Sequence, residues 1–394
     1  NATTTGIKNC YIGNYAGRSG NEAAENVALG YYALYTNVDG NRNVAIGYHA
    51  LTTMDPSGAA ATYNNALGYQ AGAAVTTGQN NVLIGGQAGA AITSANNNTA
   101  VGHQSLYTNV DGTANTAVGY HALYTMDPDG AAATYNTAMG YNAGTLVSTG
   151  TYNTLIGGLA GDALTTGARE TFVGYNAGSA RQTGIGYNVA VGMNAYASGT
   201  SSMNAIVGYS AGGSLVGGGE NTAIGGFSCL GQCVSGGANT AIGTYTLQAH
   251  TGSNTVAVGR SAMHNNTDGE YNTAVGYHSL YTNTQGDGHT ALGYRALNAV
   301  NPTANTGNST GIGYLAGEDL STGVNCVFVG KNAGRNVTTA GYQVAIGTDA
   351  LDSQTVGERN IAIGYSALST ANHANATYNV AVGYTALPDA TEGT

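Results

Sequence analysis

Three stretches of the chain set a Gly, a Tyr and a His side by side: NVAIGYHAL at 43–51, NTAVGYHAL at 115–123 and NTAVGYHSL at 272–280. An imidazole titrates near neutral pH and serves as general base, proton shuttle or metal ligand. His49, His121 and His278 are therefore the first candidates for chemistry. Asp-Gly pairs at 39–40, 111–112, 129–130, 268–269 and 287–288 offer carboxylates in turns. Cys229 and Cys233 stand close enough to bridge within one loop, which makes them a candidate local disulfide. Thr99, Thr116, Thr137, Thr154 and Thr171 recur at one place in a repeating motif, as a hydroxyl array for ice binding would require.

None of these sets has the spacing its chemistry needs. The position of the three His is held elsewhere by Gln70, Asn142, Asn176 or Arg295, a drift among polar types that reads as a solvated face. No DxDxDG loop is present to make the Asp-Gly turns a calcium site. No CxxC pair or Cys/His cluster with zinc spacing occurs. The 30 charged residues do not concentrate in one run, as a polysaccharide-cleaving site would need. The expectation is a protein that is not an enzyme, with no cofactor and no metal.

The motif around these residues repeats throughout. Aligned on the Gly of AVG, AIG or ALG, 22 copies run from Gly13 to Gly383 at a mean period near 17.6 residues. The residue before the Gly (−1) is Ile, Val, Leu or Met in all 22 copies, and the third after it (+3) is Ala in 18, Ser in 3 and Thr once. Four places before it (−4) stands Asn in 16 copies, and one place after it (+1) stands Tyr in 12. Repeats built of helix pairs need 33 residues or more. A period near 17 instead holds a short strand, a Gly-permitted bend, a second short strand and a polar turn. Stacked at about 4.8 Å per coil, such coils make a parallel β-solenoid, and 22 of them a rod of roughly 105 Å.

Because −1 and −3 share a face of a strand, and −1 is always aliphatic, that face is expected to be the core. Its column comprises Val27, Leu29, Val44, Ile46, Val101, Val118, Met139, Ile156, Ile224, Ile242, Val275, Ile346, Ile363 and Val382. The Thr at −3 then point inward too, which argues against an ice-binding array. Asn at −4 reads as a turn ladder. Tyr31, Tyr48, Tyr69, Tyr120, Tyr141, Tyr175, Tyr209, Tyr277, Tyr294, Tyr314, Tyr365 and Tyr384 form the +1 column. Their regularity exceeds what a bend needs and marks a candidate interface or ligand-contact face. A 72-residue super-repeat spans 30–174, with four-residue expansions at 53–64 and 125–136. Other expansions fall at 298–309 and 369–378. The solenoid is expected over 9–387, after a lead-in at 1–8 and before a tail at 388–394.

Composition bounds the partners. Of 394 residues 63 are Gly and only 8% are charged, with net charge −10. With 10 basic residues and no basic run, nucleic acid is a poor partner. No run of 18 apolar residues exists to span a membrane as a helix.

The AVG/AIG repeat with its small +3 residue resembles the head repeats of YadA-like trimeric autotransporter adhesins, and the NTAVGYxAL repeats of phage tail-fibre and related surface proteins. The resemblance covers 9–387. It implies a left-handed β-roll, a homotrimer, and an extracellular or cell-surface role. The period is longer than the usual head repeat, and no heptad stalk or membrane-barrel strands follow. Neither flank reads as a cap, and bare coil ends invite head-to-tail polymerisation. The expected function is a structural extracellular filament or fibre subunit. The alternative is an adhesin head or tail-fibre segment that binds cell-surface glycan.

Overall fold

A computed structural model describes the chain except residues 1–5, 59, 129, 131, 181–182, 185, 228, 233–234, 303–305, 356, 371–375 and 389–394. Its elements are 22 strands of three residues each, β1 (Cys10–Ile12) to β22 (Val380–Val382) in chain order. No helix of the described residues is long and apolar enough to cross a membrane. The chain divides into two compact units, residues 1–200 and 201–394. The first carries β1 to β11 (Val189–Val191) and the second β12 (Ala205–Val207) to β22.

Within each unit every strand pairs in parallel with the next strand of the chain and in fixed register. Thr99, Ala100 and Val101 of β6 lie against Thr116, Ala117 and Val118 of β7. These lie in turn against Thr137, Ala138 and Met139 of β8 (Thr137–Met139). Each unit is thus a stack of eleven solenoid coils.

One strand per coil is found rather than two. The residues after the Gly run through turns, because +2 and +4 take left-handed backbone, as at His121 (φ 54) and Leu123 (φ 49). A second left-handed corner lies at −5, for example Tyr135 (φ 51). Coil-to-coil bonding persists through this segment, as in Leu123 N–H to Ala143 carbonyl at 3.1 Å. The Gly of the motif is required twice over. At Gly119 φ is +134, and a Cβ there would lie 2.4 Å from the Gly140 carbonyl oxygen.

The core lies on the opposite strand face from the one expected. The middle residue of the strand, at −2, is buried: Ala28, Ala45, Ala117, Phe172 and Phe328 have no exposure. The aliphatic −1 residues point out, with Leu29, Met139, Ile224 and Val382 exposing 43, 45, 42 and 65%. Val27, Ile242, Ile346 and Ile363 are likewise exposed. Val44, Ile46, Val101, Val118, Ile156 and Val275 are half-buried at strand ends that flank a fully buried Ala or Leu. The Thr at −3 share this outward face; Thr99, Thr116, Thr137, Thr154 and Thr171 are half-buried.

Volume explains the inversion. The −2 residue faces the +3 and +4 residues of a narrow coil, and where +4 is Leu only Ala fits at −2. Where −2 is large, +4 is Gly: Leu83 with Gly89, Leu155 with Gly161, Phe172 with Gly178, Ile206 with Gly212, Phe328 with Gly334. A Cβ on Gly178 would lie 2.4 Å from the Phe172 ring, and one on Gly334 2.3 Å from that of Phe328. Interiors are packed this closely throughout, so facing positions trade volume. A Val or Ile column had no room inside.

The Asn at −4 form a ladder from coil to coil, and all but Asn9 are buried. From Asn9 to Asn153 every −4 Asn Oδ1 accepts the backbone N–H of the next −4 residue, as Asn98 does from Asn115 at 3.0 Å. The Nδ2 of Asn98 donates to the Gly112 carbonyl across the coil at 2.9 Å, whereas Asn43 and Asn115 donate to the carbonyl two residues back. The amide thus satisfies polar backbone that the thin core would otherwise leave unpaired.

Candidate functional site

The outward sheet face combines a Thr or Val column at −3 with an aliphatic column at −1. The strand register places these in straight rows, one rung per coil. Each row is chemically uniform over long stretches, such as Val101, Val118, Met139, Ile156 and Val173. Rows of half-exposed apolar side chains can bury area against a matching surface. Besides the Thr hydroxyls, the −3 column of the described residues carries the exposed free thiol of Cys10 and the exposed amide of Asn65.

Beside this face runs the +1 column. All twelve of its Tyr are exposed, from 36% at Tyr277 to 77% at Tyr384. The rings stack on one another in runs. Tyr31, Tyr48 and Tyr69 stand 5.4 and 5.3 Å apart with near-parallel planes. His103, Tyr120 and Tyr141 follow the same pattern at 5.7 and 5.4 Å. Tyr277, Tyr294 and Tyr314 do so at 5.5 and 5.1 Å, and Tyr365 and Tyr384 at 5.2 Å. Tyr175 and Tyr209 lie outside these runs; Tyr209 meets Phe227 instead, tilted at 5.4 Å.

The His that opened the sequence reading serve this stack. His121 lies on Tyr120 at 3.8 Å between ring centres and hydrogen-bonds Gln104 Oε1 through Nε2 at 2.7 Å. His278 lies on Tyr277 at 3.9 Å, and His49 on Tyr32 at 5.0 Å. Burial, aided by nearby cations, holds the His278 pKa below the ordinary value; burial and His103 do the same for His121. Both stay neutral at pH 7. His49 and His121 sit four coils apart in the first unit, and His278 is in the second. Among the described residues no group of three His, Cys, Asp or Glu could hold a metal ion.

Two other His are fully buried. His289 occupies the −4 place of an Asn: its Nδ1 accepts the Ser309 N–H at 3.3 Å. The proton then belongs to Nε2, which has no partner. His250 is buried with neither ring nitrogen partnered. Burial pushes each pKa down to about 4. Neither His stood out in the sequence, since the sign of each is only its departure from a column of Asn or aliphatic residues.

Glu318 is buried between Arg295 (2.9 Å) and Arg335 (3.0 Å), one coil to either side. Removing one partner of such a pair costs far more than the pair contributes, so this rung reads as a structural tie. Cys229 is a buried free thiol rather than half of the expected local bridge, and burial pushes its pKa up to about 12. Cys233 lies outside the described residues. The Asp-Gly turns work locally: the Gly112 N–H bonds Asn109 Oδ1, and the Asp111 carboxylate accepts the Ser94 hydroxyl at 2.7 Å. Three of the expansions rejoin the stack at one corner, through bridges Asn41 to Ala61, Thr113 to Ala133 and Asp287 to Gly307. Residues 371–375 of the expansion at 369–378 lie outside the described residues.

In comparisons with known proteins the chain matches no family model and no curated protein.

Proposed function

We propose that the protein is a non-enzymatic structural subunit of an extracellular fibre, built by self-association of β-solenoid stacks. The observation that carries this reading is the exposed aliphatic column at −1, unbroken in type from Ile12 to Val382. Burying a half-exposed Val or Ile completely gains about 1 kcal/mol. Eleven rungs per unit then supply roughly 10 kcal/mol, comparable with the cost of association, about 4–15 kcal/mol. Aliphatic rows on a regular sheet match best against copies of themselves. Three copies is the number that the likeness to trimeric adhesin heads implies.

Head-to-tail joining is the second part of the proposal. Its support is that successive coils repeat one register, so any free coil edge matches the opposite edge of another copy. Glycan adhesion is favoured less for the ladder as a whole. Stacking on a sugar needs an open aromatic face, and most of the Tyr faces lie against each other.

The test is mass by light scattering and negative-stain imaging of the intact protein and of V118K/I156K. Both substituted side chains point outward, so the fold is retained. We expect the intact protein at about three times 39.3 kDa or as longer fibres, and the variant as a monomer with unchanged circular dichroism. A monomeric intact protein at high concentration refutes the proposal.

A further inference from the structure

The +1 ladder is interrupted at two places that are alike. Between the run ending at Tyr69 and the run beginning at His103, the rung is Gly86; between Tyr141 and Tyr175 it is Gly158. These two are 72 residues apart and hold the same place in the two halves of the super-repeat. Gly226 also interrupts the column, but there Phe227 leans in from +2 to meet Tyr209 and Tyr245.

Neither glycine is needed by the backbone. Neither has a positive φ, and 12 other coils carry Tyr at this place. A side chain fits at Gly86 once the His103 ring gives by a few tenths of an ångström, and at Gly158 in ordinary contact. A Cβ on Gly86 would meet only the His103 ring, 3.3 Å away, with no atom of Tyr69 within 4 Å. On Gly158 it would lie 3.5 Å from the Tyr175 ring. Each gap is therefore a missing rung, with Tyr69 and His103, or Tyr141 and Tyr175, one coil to either side and the following ring close over the glycine.

We propose that the slots Tyr69–Gly86–His103 and Tyr141–Gly158–Tyr175 each bind one pyranose ring of a saccharide. The flanking side chains stand two coil steps of about 4.8 Å apart, so a ring between them would come near the 5.1–5.7 Å centre-to-centre spacing of the intact runs. That spacing suits a chair, whose axial C–H bonds meet an aromatic face on each side and which is thicker than a planar ring. The first slot also has a polar rail beside it. Gln104 Nε2 donates to Gln87 Oε1 at 2.8 Å, and Gln87 Nε2 to Gln70 Oε1 at 3.1 Å. These amides have further donor and acceptor capacity for ring hydroxyls. In the second slot Leu159 replaces the central amide, so the first is the more selective of the two. The remaining rungs, whose faces are covered, do not take part.

The experiment is saturation-transfer-difference NMR of the intact protein with methyl β-D-glucopyranoside, methyl β-D-galactopyranoside and, separately, p-cresol. The comparison is G86Y/G158Y, which supplies the missing rungs with the residue found there in other coils. The expected result is transfer to the axial ring protons of at least one pyranoside, reduced more than fivefold in the variant, at an unchanged melting temperature. In Y69A/Y141A, which opens one wall of each slot without filling it, the transfer falls as well. Equal transfer in the intact protein and G86Y/G158Y overturns the proposal, as does no transfer to either pyranoside. Binding of p-cresol alone overturns the sugar assignment.

Discussion

Replacing His289 by Asn should make the second unit markedly less sensitive to acid. In the folded protein the His289 pKa is about 4, against an ordinary value of 6.5. Above pH 6.5 the imidazole is neutral in both states and contributes no pH dependence. Between pH 6.5 and 4 the unfolded chain takes up a proton that the folded chain refuses, so stability falls as pH falls. Below pH 4 both states are charged and the loss is complete. A shift of about 2.5 units at about 1.4 kcal/mol each amounts to roughly 3 kcal/mol. His250, with the same depressed value of about 4, adds a similar loss. Asn at 289 restores the amide of the −4 column, able to accept the Ser309 N–H as neighbouring Asn residues do. It also removes the unpartnered Nε2–H, a group that costs about 1–3 kcal/mol when buried. Gly286 and Gly307, where a Cβ would lie 2.8 and 2.5 Å from the imidazole, make room for a ring that Asn does not fill, which offsets part of that gain. The assay is calorimetric melting at pH 7 and pH 4 for the intact protein and H289N. For a unit of this size 1 kcal/mol moves the midpoint by about 2–4 °C, so the acid-induced drop in Tm should shrink by about 6–12 °C in the variant. The carboxylates titrate in the same window, but equally in both proteins. An unchanged drop in Tm would refute the assignment of His289 as a neutral, buried member of the Asn column.

Three more substitutions probe the coil itself. Leu123→Ala should cost about 2–5 kcal/mol in urea melts, while A117L/L123G, which exchanges the large and small partners as Phe172 and Gly178 do, should come within about 2 kcal/mol of the intact protein. Asn98→Ala leaves the Asn115 N–H unpaired; because the Gly112 carbonyl keeps the Asn109 amide, the loss should be about 1–3 kcal/mol, with faster amide exchange at residue 115. Gly119→Ala sets a Cβ 2.4 Å from the Gly140 oxygen at φ +134 and should cost about 3 kcal/mol or more, read as loss of the first unit's melting transition at 37 °C.

The period, the parallel stack and the role of the motif Gly were legible in the sequence, because a solenoid prints one coil over and over. The face assignment was not. Alternation says only that −1 and −3 lie opposite −2; it does not say which side is inside. The uniform aliphatic residues at −1 made that side look like the core, whereas Leu29 and Met139 face outward and Ala28 and Ala138 are buried. The burial of Asn115 was hidden for a related reason: Asn is common in turns, and only the thinness of the coil makes its amide an interior necessity. His250 and His289 each occur singly in their columns and carry no repeat signal, whereas the repeated His are partners of the Tyr stack.

The signal that decides the face was nonetheless present, in pairs of positions rather than in single columns. Leu83, Leu155, Phe172, Ile206 and Phe328 at −2 each coincide with Gly at +4, six residues on. Residues on opposite sides of a strand have no reason to trade volume; residues that share a packed interior must. No such trade links −1 to any other place, and an aliphatic column whose size is answered by nothing inside the coil is free to be chosen for what lies outside it. Ile, Val, Leu or Met at −1 in 22 successive copies is what the proposed contact with a surface other than the coil's own would require. An exposed aliphatic column kept only as strand-forming filler would tolerate Thr at −1 as readily as −3 does, since both are outward strand positions. In V118T/I156T, stability should then stay within about 1 kcal/mol of the intact protein, while the assembled mass falls. If instead the assembled mass is unchanged and stability drops by several kcal/mol, the −1 column belongs to the coil, and the argument from volume fails.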